Sequence, residues 1–170
     1  DEYINVVGLQ NFINAPVNYY ELRGSSNNLF KCFIPLASKN GNEKSVFAFV
    51  HPEGVYDDPN GKALRTYVYE RLRKHFQFVN EKSLFQDVGH AFIFGLNIYS
   101  NSKSDSFESI SNLFDPVTID QCYTVDGEDA PLPGIKTDDN KWNTEGHPHR
   151  LIKIGEIELR LLANLFEENE

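Results

Sequence analysis

From Val46 to Val50 the chain is unbroken apolar, Val-Phe-Ala-Phe-Val, and it stops at His51-Pro52-Glu53-Gly54. A short run with no polar alternation is what a strand covered on both faces carries, which places it in the middle of a parallel or mixed sheet. The residues that stop it are polar and turn-forming. In an open α/β sheet, ligands bind in the crevice outside the carboxyl ends of the strands. The turn after this strand is therefore the first place to look for function.

Asp57-Asp58-Pro59-Asn60-Gly61 is a strong turn signal, and its acids suit the amino terminus of a following helix. From Lys62 to about Lys74, Leu64, Tyr67, Val68 and Leu72 share one helical face, with Arg65, Glu70, Arg71 and Arg73 mainly off it. His75-Phe76-Gln77-Phe78-Val79 alternates like a strand with one exposed face and completes a strand-helix-strand unit. Phe92 to Tyr99 reads as the next strand. The connection Leu84-Phe85-Gln86-Asp87-Val88-Gly89 is so short that these two strands must be antiparallel.

Upstream, residues 1–24 read as a short helix or an irregular lead-in, and Gly24 to Asn28 as a loop able to cap a helix. Leu29, Phe30, Phe33, Ile34 and Ala37 then recur at helical spacing, with Gly41 as the left-handed stop. Downstream, the serine-rich Asn101 to Asp105 divides residues 1–100 from a loop-rich extension, 101–170. The extension holds scattered apolar residues from Phe107 to Phe114, a short helix or strand from Pro116 to Tyr123, and a Pro-, Gly- and Asp-rich loop from Asp126 to Lys141. A strand from Arg150 to Ile154 follows. Glu156 to Phe166 closes the chain as an amphipathic helix with Ile157, Leu161, Leu162, Leu165 and Phe166 on its buried side.

With 170 residues, 40% of them hydrophobic, the chain can build one domain with a core. No apolar run approaches the roughly 20 residues a membrane span needs, and Asp1-Glu2-Tyr3 does not open like a signal peptide, so a cytoplasmic setting without a membrane partner is expected. A net charge of -9 argues against a self-sufficient nucleic-acid binder. Cys32 and Cys122 have no metal-ligand spacing and read as small buried hydrophobes. The chain contains no methionine, which suits a piece of a longer protein.

Common self-contained active sites are missing from the sequence: it has no Gly-x-Gly-x-x-Gly, no Walker loop, no Gly-x-Ser-x-Gly and no Cys-x-x-Cys. His147 and His149 with Cys122 lack the second pair a zinc site needs. Asp57 and Asp58 form a carboxylate pair that magnesium nucleases also use, but their setting favours a helix-capping turn. Phe85 has two readings, a core anchor for the strand pair or a half-exposed platform on which a base can stack.

Taken in order, Asn28-Leu29-Phe30-x-x-Phe33, Val46-Phe47-Ala48-Phe49-Val50-His51-Pro52, Leu64-Arg65, Leu84-Phe85-x-x-Val88 and a final apolar strand resemble the second half of the catalytic domain of adenine amino-methyltransferases of DNA. The likeness is to the large fused restriction-modification methylases of bacteria, which carry stretches similar to His51 to Pro59, His75 to Glu81 and Trp142 to His147. It covers nearly the whole chain. The resemblance implies a partial Rossmann-like methyltransferase sheet of three strands, the last antiparallel, with flanking helices. It also implies that Phe33 lies near the adenine ring of S-adenosylmethionine, that Pro52 and Glu53 shape the target-base pocket, and that Phe85 stacks on the flipped adenine. Extruding a base costs a few kcal/mol, part of which stacking offsets.

The chain departs from that family where chemistry is done. The glycine-rich cofactor turn and the Asn-Pro-Pro-Tyr or Asn-Pro-Pro-Phe tetrapeptide are absent, and Asn14-Ala15-Pro16 is no substitute. The expectation is a fragment of a restriction-modification or phage-defence methyltransferase, holding no catalytic residue and no metal, inert alone, and meeting DNA through the remainder of the same polypeptide. The rival readings are a stand-alone α/β interaction module and, behind it, a magnesium-dependent nuclease around Asp57 and Asp58.

Overall fold

The apolar run becomes the strand Val46–Pro52 (β1), at the edge of the sheet and not in its middle. The computed structural model describes residues 2–25, 28–124 and 129–166. Among these, β1 pairs only with Ile93–Ser100 (β3), which runs antiparallel to it and also antiparallel to Leu72–Val79 (β2). The strands β1 and β2 are therefore parallel to each other, with β3 between them. On its other side β2 pairs in parallel with Ser106–Leu113 (β4), and β4 pairs antiparallel with Ile152–Gly155 (β5).

The fold is α/β, built on an open mixed sheet of five strands in the order β1-β3-β2-β4-β5. Two of the five come from the stretch expected to be a loop-rich extension. Phe107-Glu108-Ser109-Ile110-Ser111 alternates poorly and is rich in serine, so its strand character comes from pairing with β2 more than from local preference. The antiparallel pairing of β2 and β3 agrees with their short connection.

Five α-helices flank this sheet among the described residues: Glu2–Asn14 (α1), Leu29–Asn40 (α2), Lys62–Tyr69 (α3), Val117–Thr124 (α4) and Glu156–Phe166 (α5). Helix α3 ends sooner than its apolar face suggested, because Leu72 is drawn into the sheet opposite Tyr99. Asn28 takes the extended N-cap backbone of α2 without a side-chain capping bond. Ser26 and Asn27 of the capping loop lie outside the described residues, as does the start of the Asp126 to Lys141 loop. Gly41 follows α2 with φ -94°, so it is not a left-handed stop. Its need for glycine is steric: a Cβ there would sit 2.7 Å from the Cβ of Ser45.

Residues directly opposite on paired strands share a face. On one face Tyr99 and Leu72 pack with Cys32 and Ile34 of α2 and Leu64 and Val68 of α3. On the other, Phe76, Phe78, Phe94, Ile110 and Leu113 pack with Cys122 of α4. The two cysteines are buried free thiols, one in each cluster. The second face is bare at β1, where Val46, Ala48 and Val50 are exposed, so the strand expected to be covered on both sides is covered on one. Helix α5 has the bounds its spacing suggested, yet Ile157, Leu161, Leu162 and Leu165 are exposed and Leu159 is the residue packed on the core. The side chain of Phe166 lies outside the described residues.

Candidate functional site at the carboxyl ends of the parallel strands

Because β1, β2 and β4 are parallel, the connections that leave their carboxyl ends gather at one end of the sheet. At β1 the chain passes through Pro52 into a short 3-10 turn, Glu53–Val55. At β2 it enters a second 3-10 turn, Asn80–Lys82, and then the loop carrying Phe85.

On the face covered by α2 and α3 this end of the sheet holds a buried polar network. The Glu53 carboxylate lies 3.0 Å from His75 Nε2 and accepts from Gln77 Nε2 at 3.3 Å. His75 Nδ1 is 3.1 Å from Ser109 Oγ. Tyr56 donates to Asn97 Oδ1 at 2.7 Å, and His51 Nε2 is 2.9 Å from the Tyr99 hydroxyl. Gly95 lies opposite His51 and Gln77, and a Cβ there would be 2.5 Å from Glu53 Oε1. Glycine at this position is what leaves room for the carboxylate. Among the described residues, Asn97 Nδ2 is buried without a hydrogen-bond partner.

Burial shifts several groups at this end of the sheet. It lowers the pKa of His51, and it pushes the phenols of Tyr56 and Tyr99 up. Burial also raises the Asp57 carboxyl, with the charge of Glu53 adding to it. Ser109, His75 and Glu53 line up like a nucleophile, a base and an orienting acid. Ser109 is buried between strands, however, so the arrangement holds the sheet together and offers no hydroxyl to a substrate.

The opposite face of the same end is aromatic and open. Phe94 pairs with Pro52 across β1 and β3 and stacks on Phe78, with ring centroids 5.4 Å apart. Phe85 meets Phe94 edge-on at 5.0 Å and remains 44% exposed. Phe85 thus anchors its loop on the core and also presents a free face.

Of the residues singled out by resemblance, Pro52 lies opposite Phe94 in the strand register and Phe85 meets the Phe94 ring. Glu53 turns to the other face and its carboxylate is taken by His75 and Gln77. Phe33 is 47% exposed on α2, with no ring partner among the described residues. Asp58 pairs with Lys31 of α2 at 2.6 Å and accepts the Asn60 N–H at 3.0 Å, while its backbone carbonyl takes Arg65. No side chain caps α3, so the two acids do not serve as its cap; Asp58 ties α2 to the turn before α3. His147 Nε2 is 3.0 Å from the Ala130 carbonyl, and its Nδ1 accepts the His149 N–H at 3.1 Å. Among the described residues no three metal-ligating side chains converge and no helix is long and apolar enough to cross a membrane.

Sequence reasoning passed over His75, Gln77, Asn80 and Asn97. Alternation along β2 suggested that His75 and Gln77 face water, whereas they meet Glu53, a partner more than twenty residues away in the chain that no local pattern could announce. No protein-family model matches the chain, and no curated protein sequence matches it.

Proposed function

We propose that this chain is the carboxyl-terminal part of the catalytic domain of an S-adenosylmethionine-dependent DNA adenine methyltransferase of a restriction-modification or phage-defence system. The observation that carries the reading is the strand arrangement. A crossover through α3 takes β1 to a parallel β2 two positions away, and the position between them is filled by the last strand of the trio, antiparallel to both. An antiparallel last strand set among parallel ones is what the resemblance implies, although β4 and β5 continue the sheet beyond β2, and the half-exposed Phe85 stands in the loop where such an enzyme would receive its base.

In this reading the flipped adenine stacks on Phe85, and Pro52, opposite Phe94 in the strand register, shapes the pocket wall. Phe33, an exposed aromatic face without a ring partner among the described residues, suits the adenine ring of S-adenosylmethionine, which supplies the methyl group when bound. The edge of β1, unpaired among the described residues, is where the rest of the sheet continues in this reading. The groups that accept hydrogen bonds from the target amino group, an Asn side chain and a neighbouring carbonyl, belong to the remainder of the polypeptide, since the tetrapeptide is absent here.

Incubating the chain with DNA and S-adenosylmethionine labelled in its methyl group tests this. The expected result is no incorporation by the chain alone and adenine methylation once it is joined to a segment carrying the glycine turn and the Asn-Pro-Pro tetrapeptide. Turnover by the chain alone overturns the reading.

A further inference from the structure

We infer that Asn80 is a positioning residue that fixes the ring of Phe85 for stacking on an unpaired purine; the inference rests on the reading of Phe85 given above. Asn80 follows β2 directly and is buried, with no accessible surface. Its Oδ1 accepts the backbone N–H of Phe85 at 3.0 Å. Its Nδ2 donates to the carbonyls of Phe85 at 2.9 Å and Val88 at 2.8 Å. One amide therefore holds both backbone polar groups of Phe85. The backbone of Asn80 is fixed in turn, its N–H donating to the Phe92 carbonyl at 3.0 Å and its carbonyl accepting from Ser83 at 2.8 Å.

Besides Asn80, the loop is held by the edge-on contact of Phe85 with Phe94 and by backbone hydrogen bonds from Val88 to the Phe85 carbonyl and from Phe92 to the Gly89 carbonyl. The ion pairs Glu81–His90 at 3.3 Å and Lys82–Asp115 at 3.0 Å involve exposed partners, and such pairs contribute little. Leu84, Phe85 and Phe92 are all substantially exposed, so the loop has few buried side chains of its own. Only a side-chain amide offers an acceptor and two donors at one point. Aspartate keeps the acceptor and loses the donors, and serine is too short to span the loop. A ring already held in place loses little freedom when a base lands on it, and that is what preorganisation contributes to affinity.

The test is quenching of 2-aminopurine deoxyriboside by the chain, compared with Asn80→Ser, Phe85→Ala and the double variant. The fluorescence of Trp142, stacked on Phe114 far along the chain, reports that each remains folded. Asn80→Ser should weaken binding about as much as Phe85→Ala, by about fivefold or more, the lower end of what stacking on an aromatic contributes. The double variant should bind no more weakly than Phe85→Ala alone, because Asn80 acts through that ring. Should Asn80→Ser not fold, Asn80→Gln keeps the amide and displaces it, and the same loss is expected. Binding by the Asn80 variant equal to wild type, or losses that add in the double variant, overturn the positioning role while leaving the reading of Phe85 intact. If Phe85→Ala binds as wild type does, the stacking role of Phe85 falls and the inference falls with it.

Discussion

His51 reads in sequence as the first polar residue of a turn, and in the fold it is a core residue. Its ring stacks on Phe30 at 5.7 Å and its Nδ1 lies 2.8 Å from the Pro52 carbonyl. Burial lowers its pKa from 6.5, outweighing the Pro52 carbonyl and Glu53, which raise it. The unfolded chain takes up this proton near the ordinary value while the folded chain still resists it. The stability His51 contributes is thus complete above about pH 6.5 and is lost as pH falls through the folded pKa. Urea unfolding followed from about pH 7.5 down to about 5.5 should show falling stability, and His51→Gln should show a shallower fall. Equal slopes would mean that burial of this ring carries no linkage. Pro52 and Phe85 could be singled out from the sequence because the turn and the strand connection that hold them are local features. The partners of Glu53 could not, because three strands and a crossover assemble them.

At the scale of elements, the turn ahead of α3 is tied to α2 by Lys31 and Asp58, whose side chains are 6% and 11% exposed. Breaking such a pair takes one partner from a charge in a poorly solvated place. Asp58→Ala should cost about 3 kcal/mol, the scale for removing one partner of a buried ion pair, read as a shift in the urea midpoint; a change within a few tenths would show that water reaches Lys31 freely. The bounds of α2 and α5 were legible because apolar side chains recur every three or four residues in each. The covering of α5 was not, since periodicity names the apolar stripe and is silent about what lies opposite it. Strand β4 escaped notice for the converse reason: its pairing with β2 makes a strand of a segment whose own residues do not alternate.

Across the whole molecule, apolar side chains remain uncovered along α1, α5 and the bare side of β1. An unpaired edge beside exposed valines is a template for pairing between chains. Val50→Lys, at a residue 53% exposed, should lower self-association in sedimentation velocity and leave the unfolding midpoint in place. Equal sedimentation would show that contacts between copies form elsewhere.

The antiparallel strand β3 also sets a timetable for synthesis. It is the last of its trio to leave the ribosome and the only one bonded to both others. While β1 and β2 are already made, neither has a neighbour in this trio to bond with, and α3 can lean only on α2 and the turn before it. Once Ile93 to Ser100 emerges, a single insertion satisfies both at once. The contacts of β1 with β3 link residues more than forty apart, and contacts so distant form slowly, so this interval is when a chaperone, or the rest of a longer polypeptide, has most to do.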